Sequence, residues 1–190
     1  MARVRKPQPT LDSTFFATPE QKVIRFLLSE PTTTFTPRVI SSKLKGVRGL
    51  GGTEGIMKIL ASLEEVGLVD FLDNRRAVRL HDEAAGVKIM KSFASLCDLE
   101  GLKSLLSPLS SKGLLFGARA DGKAHSDSEY DLLVVSDSPN PVKTTVAGYP
   151  IGKQIRLSVM TSDEFDDLEK KDSNLYQSLA QGIVLWGSSW

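Results

Sequence analysis

The stretch from Leu115 to Val135, LFGARADGKAHSDSEYDLLVV, contains the residue types and spacing best suited to chemistry. Two carboxylates, Glu129 and Asp131, stand one residue apart at the start of an apolar run. On a β-strand, residues i and i+2 lie on the same face, so these two side chains could hold a metal ion together. The stretch is therefore the first candidate for a catalytic or metal-binding site.

The segments around this stretch predict a small domain with one mixed sheet. GLLFG and YDLLVVSD are typical of two strands on either side of the polar loop. VKTTVAGY and KQIRLSVMT are predicted as two more strands, joined as a hairpin through GYPIG. A capping box from Thr161 to Glu164 then predicts the start of one or two helices. We expect Trp186 and Trp190 to pack against the end of this sheet. The predicted domain covers residues 99–190.

The same stretch resembles the signature of the minimal nucleotidyltransferases, small members of the DNA polymerase beta superfamily. The residues that stand in register with that signature are Gly117, Arg119, Ala120, Gly122, Asp127, Ser128, Asp131 and Leu132. The closing segment SNLYQSLAQGIVLWG is similar to the last helix and strand of the same family. The resemblance extends over about residues 99–188.

The resemblance implies roles for particular residues. In the family, the turn after the first strand presents backbone N–H groups and a serine hydroxyl to a nucleoside triphosphate. This makes Gly117, Ala118, Arg119 and Lys123 the candidate nucleotide-binding residues. The family's two strand carboxylates, here Glu129 and Asp131, hold Mg²⁺, and a third acid on a neighbouring strand completes the site.

The sequence departs from the family at three of these positions. Ala118 replaces the phosphate-binding serine, and Glu129 replaces an aspartate, which moves its carboxylate about 1.5 Å further out although Mg²⁺ demands near-ideal geometry. The third acid is missing, because its expected position falls on Arg156, or on Ser158 if the register shifts by two. We hypothesise that Arg156 pairs with Glu129 or Asp131. The pattern favours a degenerate, inactive site.

The N-terminal part predicts three helices followed by a hairpin. Thr18–Pro19 and Thr36–Pro37 are typical helix starts, with the threonine as N-cap and the proline at the first helical position. TEGIMKILASLEEVGL predicts a third helix that ends at Gly67, and LVDFL and RAVRL predict a hairpin. This is the element order of a winged helix-turn-helix over residues 18–81, and LASLEEVGLVDF resembles the recognition helix and first wing strand of prokaryotic regulators.

In such domains the third helix enters the DNA major groove and the wing contacts phosphates. The candidate DNA-binding residues are Lys43, Lys45, Arg48, Thr53, Lys58, Arg75, Arg76 and Arg79. Residues 1–80 contain 13 Lys/Arg and 8 Asp/Glu, a net charge of +5, whereas residues 81–190 have a net charge of −4. This asymmetry favours nucleic acid as the partner of the N-terminal part. Because winged helices also dock proteins, a protein-binding role stays open.

The remaining segments are given simpler interpretations. Residues 1–17 are predicted to be a flexible basic arm, and residues 82–98 a linker helix that also packs a dimer, followed by a second helix at the start of the C-terminal domain. His125 is interpreted as a solvated loop residue. The single cysteine, Cys97, is interpreted as an apolar filler, and one cysteine fits a reducing cytoplasm. The sequence contains no run of about 18 apolar residues, so no membrane span is expected.

Three functions follow as alternatives. The first is a cytoplasmic, DNA-binding transcriptional regulator, dimeric on double-stranded DNA, whose degenerate nucleotidyltransferase-like domain senses a ligand such as a nucleotide, binds a partner or dimerises. The second is an active nucleotidyltransferase of toxin–antitoxin type, which would require Mg²⁺ and a nucleoside triphosphate. The third is a non-enzymatic protein-docking subunit.

Overall fold

The computed structural model describes residues 8–188, which form an α+β fold as predicted. Its N-terminal unit contains four helices and a two-stranded antiparallel hairpin. The bounds are α1 (Leu11–Phe15), α2 (Pro19–Ser29), α3 (Pro37–Lys43), α4 (Gly52–Glu65), β1 (Val69–Leu72) and β2 (Ala77–Leu80). Phe35 pairs with Val78 through two 2.8 Å backbone hydrogen bonds, which attaches the loop before α3 to the outer side of β2.

Two of the three predicted helices of this unit begin where their caps indicated, and the third, α4, begins at Gly52 without a side-chain cap. The hydroxyls of Thr18 and Thr36 accept hydrogen bonds from backbone N–H groups in the first turns of α2 and α3. Gly67, with a φ of +72°, follows the end of α4 and turns the chain into β1. The apolar faces of α2 and α4 meet in one core, whose fully buried members include Val23, Leu27, Ile56 and Leu60.

The predicted flexible arm is too long. Residues 1–7 lie outside the described residues, but Leu11–Phe15 form α1, which begins at a capping box between Thr10 and Ser13. The backbone N–H of Leu11 donates to Glu100, and Phe16 is buried in the core. This anchoring explains the difference, since apolar residues that pack on another helix do not remain in solvent.

The segment predicted as two helices is a single one. Helix α5 (Ala85–Leu106) runs without a break through Gly101, although glycine costs about 1 kcal/mol in a helix interior. At Gly101 a side chain would stand 2.8 Å from the hydroxyl of Tyr149, so the glycine allows this tyrosine to approach the helix. The expected domain boundary at residue 99 therefore falls inside a continuous helix.

The C-terminal unit is built on a four-stranded mixed sheet with the order β5–β4–β3–β6. Its elements are β3 (Lys112–Phe116), β4 (Tyr130–Val135), α6 (Pro139–Ala147), β5 (Ile155–Met160), α7 (Ser162–Asp166), α8 (Leu168–Lys171), α9 (Ser173–Ala180) and β6 (Ile183–Trp186). Strand β3 pairs antiparallel with both β4 and β6, whereas β5 is parallel to β4. The capping box at Thr161 starts α7 as predicted.

The prediction of a strand at VKTTVAGY was wrong, because this segment forms α6. Parallel strands need a crossover connection, and α6 supplies it between β4 and β5. Pro139 lies at the helix start, where a missing N–H costs nothing, while Val142 and Val146 face the core one turn apart. Tertiary context thus outweighs the preference of its β-branched residues for strands.

Two apolar clusters cover the two faces of this sheet. Leu132 and Val134 face α5 and α6, while Leu133 faces α8 and α9 on the other side. Trp186 is buried and donates its indole N–H to Ser110, which agrees with its predicted packing; Trp190 lies outside the described residues. Among residues 8–188, no helix combines the length and apolar character needed to cross a membrane.

Candidate functional site

The predicted metal site lies at the beginning of β4, beside the turn that follows β3. Asp131 stands opposite Phe116 in the antiparallel register, and its carboxylate approaches the backbone of Gly117. A side chain at Gly117 would place its Cβ 2.5 Å from Oδ2 of Asp131, and this glycine has a φ of +68°. Only glycine suits both the left-handed backbone and the close carboxylate, so the turn is built around Asp131.

Arg156 occupies the place where a third carboxylate was expected. The parallel register sets Arg156 directly opposite Asp131, and its Nε–H donates to Oδ1 of that carboxylate. The hydrogen bond and charge of Asp131 raise the pKa of Arg156. This agrees with the hypothesised internal ion pair and selects Asp131 as its acid. Of the two residues expected at this position, Arg156 lies opposite Asp131, and Ser158 lies two residues further along β5.

The residues present do not fit a two-acid Mg²⁺ site. Glu129 precedes β4 and is exposed, while the Asp131 side chain is only 10% exposed and is already bonded to Arg156. Within the described residues, no group of three His, Cys, Asp or Glu side chains could hold a metal ion. A guanidinium next to the inner carboxylate also repels a cation. The arrangement is an ion pair, and no catalytic step follows from it.

The other candidate nucleotide-binding residues are divided between different contacts. Gly117 and Ala118 form a short 3-10 turn, and Lys123 is exposed, 3.6 Å from Asp121. Arg119 donates from Nε and Nη2 to the backbone oxygen of Ser128, at 3.0 and 2.7 Å. Its guanidinium also stacks 3.9 Å from the ring centroid of Tyr130. Since Tyr130 and Asp131 alternate along β4, Arg119 contacts the sheet face opposite to Asp131.

His125 is exposed, and its backbone N–H donates to the hydroxyl of Ser128 at 2.9 Å. This exposure agrees with its interpretation as a solvated loop residue. The bond to Ser128 closes the polar loop ahead of β4. Among the signature residues, Arg119 and Ser128 therefore hold the loop in shape.

The eight candidate DNA-binding residues are all exposed. Lys43 lies in the last turn of α3, Lys45 and Arg48 follow in the connection to α4, Thr53 and Lys58 lie on α4, and Arg75, Arg76 and Arg79 belong to the hairpin. Three of them form ion pairs: Lys58 with Glu54 at 3.2 Å, Arg75 with Glu64 at 2.9 Å and Arg79 with Asp70 at 3.6 Å. Four cations of this set pair with no carboxylate within residues 8–188: Lys43, Lys45, Arg48 and Arg76.

The hairpin turn holds Arg75 against α4. Asp73, Asn74 and Arg75 have φ values of 50°, 53° and 65°, a left-handed backbone that is costly for residues with side chains. The contacts of Arg75 offset that cost, because its guanidinium pairs with Glu64 and lies 4.0 Å from the ring centroid of Phe71. Arg76 follows this turn without such contacts among the described residues, and its side chain projects into solvent.

A polar network between the two units was missed by sequence reasoning. Arg25 on α2 donates to Asp12 at 2.7 Å and to Asp98 on α5, and Tyr130 on β4 donates its hydroxyl to Asp98 at 2.8 Å. The hydroxyl of Tyr149 adds a 3.0 Å bond to the backbone oxygen of Asp98. Burial, reinforced by the charge of Asp98, raises the pKa of Tyr130. No local motif signals this network, since its members are far apart in sequence.

Comparison with protein-family models and with curated proteins gave no match to this chain. An inference of function therefore rests on the residues themselves. Two features carry it: the Asp131–Arg156 pair where a metal site was expected, and the cations of the N-terminal unit that have no carboxylate partner among residues 8–188.

Proposed function

We propose that this protein is a cytoplasmic DNA-binding regulator that contacts double-stranded DNA through its N-terminal unit. The observation that carries the proposal is a set of exposed cations that pair with no carboxylate in the described part of the chain, namely Lys43, Lys45, Arg48 and Arg76. They lie at the end of α3, in the connection to α4 and at the hairpin turn. In a winged helix-turn-helix these segments face the major groove and the flanking phosphates.

The C-terminal unit serves in this proposal as a non-catalytic domain that senses a ligand, binds a partner or dimerises. Support comes from Asp131, whose carboxylate accepts a hydrogen bond from Arg156 where a nucleotidyltransferase would place a metal ion. Ala118 also lacks the hydroxyl that the family uses toward phosphate. A dimer would match the two half-sites of a pseudo-palindromic operator, spaced about one helical turn apart.

The test is duplex binding measured by fluorescence anisotropy, with a labelled duplex of about 30 base pairs and a series of salt concentrations. We expect affinity to fall steeply with salt, and the combined Lys45→Ala and Arg48→Ala variant to reduce the slope by about two, one per lost phosphate contact. Lys143→Ala on α6 is the matched control, because Lys143 is an exposed lysine outside the N-terminal unit.

Absence of duplex binding at low salt would contradict the proposal and favour a protein-docking role for the N-terminal unit. Isothermal titration with ATP, GTP, CTP and UTP, each with and without Mg²⁺, tests the second part. We expect no metal-dependent binding. Metal-dependent binding or turnover that Asp131→Ala abolishes would restore the enzymatic alternative.

A further inference from the structure

A cleft of about 600 Å³ lies where α2, α5 and the start of β4 meet. This volume falls within the range of small-molecule sites in proteins. Helix α2 contributes Phe26, α5 contributes Ala94, and Tyr130 lies on the side of the C-terminal unit. Because Tyr130 and Asp131 point to opposite faces of β4, the cleft is separate from the nucleotidyltransferase-like site.

The polar wall of the cleft is already ordered. Asp98 accepts hydrogen bonds from Arg25 and Tyr130, which ties α2, α5 and β4 together. Arg119 stacks on the Tyr130 ring and is anchored by Ser128. Side chains fixed in this way lose little conformational freedom when a ligand binds, so they favour a specific occupant.

Two cations of the cleft remain available to an anion. The Asp12 and Asp98 carboxylates both accept from Arg25, and Lys91 pairs with Asp82. Among the described residues, Lys22 and Arg119 line the cleft without a carboxylate partner, and Nη1 of Arg119 makes no hydrogen bond. The remaining acid of the lining, Glu30, lies on an exposed position.

The apolar part of the lining favours an anion that also carries a planar, apolar group. Besides Tyr130, the rings of Phe16 and Phe26 line the cleft, together with Leu44, Val47 and Ile151. Burial of an aromatic surface against these apolar side chains is favourable. A fully polar ion would instead place a charge next to apolar side chains, which is unfavourable.

We propose that this cleft binds a small organic anion, with its carboxylate, sulfonate or phosphate group at Lys22 and Arg119 and its planar apolar body against the aromatic wall. Because the lining includes Phe26 of α2 and Tyr130 of β4, such a ligand would touch both the DNA-contacting unit and the sheet unit. This effector role rests on the proposed function, but the binding itself does not.

The test compares two fluorescent dyes, anilinonaphthalene sulfonate and phenylnaphthylamine, which is the same aromatic body without the sulfonate. We expect saturable one-to-one binding of the sulfonate dye to the full chain. Lys22→Met and Arg119→Met should each weaken that binding about 5- to 10-fold, as expected for the loss of one charged contact. Lys143→Met is the matched control and should leave the affinity for the sulfonate dye unchanged. The neutral dye should bind the unmodified chain and the three variants equally.

Near-UV circular dichroism of each variant checks the fold, because the sulfonate dye also binds loosely packed states. Equal binding of both dyes, with no effect of either cation variant, would overturn the proposal. Absence of saturable binding of the sulfonate dye would overturn it as well. Duplex binding is measured separately on the same proteins, so loss of the proposed function leaves the result for the cleft intact.

Discussion

Arg156 on β5 lies directly opposite Asp131 on the parallel strand β4 and donates its Nε–H to Oδ1 of that carboxylate. The two partners differ in environment, because the Asp131 side chain is 10% exposed and that of Arg156 is 66% exposed. The pair therefore combines a nearly buried anion with a cation that stays largely in water. It lies where the resemblance to nucleotidyltransferases led us to expect a metal ion.

We expect this pair to contribute modestly to stability. A double-mutant cycle with Asp131→Asn and Arg156→Met should give a coupling free energy of about 1 kcal/mol, since solvent around Arg156 screens the attraction. The coupling, measured by urea unfolding, should shrink in high salt. Strictly additive effects of the two substitutions would show that the pair does not persist in solution.

The two arginines at the hairpin turn should behave differently toward DNA. Arg76→Ala should lower the slope of log affinity against log salt by about one, because its exposed guanidinium is available to a phosphate. Arg75→Ala should lower this slope less, since Arg75 is already paired with Glu64. Anisotropy titrations with one duplex distinguish the two variants. Equal slopes for both would contradict a persistent Arg75–Glu64 pair.

Asp98 should be the most sensitive position in the network between the units. Asp98→Ala leaves Arg25 with one carboxylate and the Tyr130 hydroxyl without its acceptor, so we expect a loss of about 2–3 kcal/mol in the free energy of unfolding. Asp98→Asn keeps an oxygen acceptor and should cost less. Urea unfolding of both variants provides the measurement, and equal losses would show that hydrogen bonding to Tyr130 contributes little.

Cys97 should react slowly in the folded protein. Burial raises the pKa of its thiol from the ordinary 9.0 to about 11. At pH 8 the thiolate fraction is then about 0.1%, against about 10% for the ordinary value, so reaction with a disulfide reagent should be about 100-fold slower. The rate should rise about tenfold per pH unit up to pH 11. In denaturant it should reach the rate of an unburied thiol. Fast labelling of the native protein at pH 8 would contradict this environment.

Local signals predicted the elements that depend on local chemistry. Thr18–Pro19 and Thr36–Pro37 placed two helix starts, because a threonine cap and a proline act within one turn of the chain. The expectation that Arg156 lies beside Asp131 came from the resemblance to nucleotidyltransferases, which left Ser158 as the alternative; the parallel register selects Arg156.

Elements that depend on the rest of the fold were not predictable in this way. The segment 142–149, predicted as a strand, lies mostly in helix α6 because β4 and β5 are parallel, and no local pattern encodes that direction. The contact of Arg25 with Asp98 joins residues 73 positions apart, and that of Tyr130 with Asp98 joins residues 32 apart. Such pairs follow from the packing of three separate elements.

Helix α5 has a consequence for how the chain folds. Its first half supplies Val87 and Ala94 to the core of the N-terminal unit, and its second half supplies Leu99, Leu102 and Leu106 to the core under the sheet. A cut between Val87 and Ala94 would remove part of the wall of the first core, and a cut between Leu99 and Leu106 would do the same to the second, which exposes apolar side chains to water. Because one continuous helix serves both cores, we expect the two units to unfold together in a single cooperative transition.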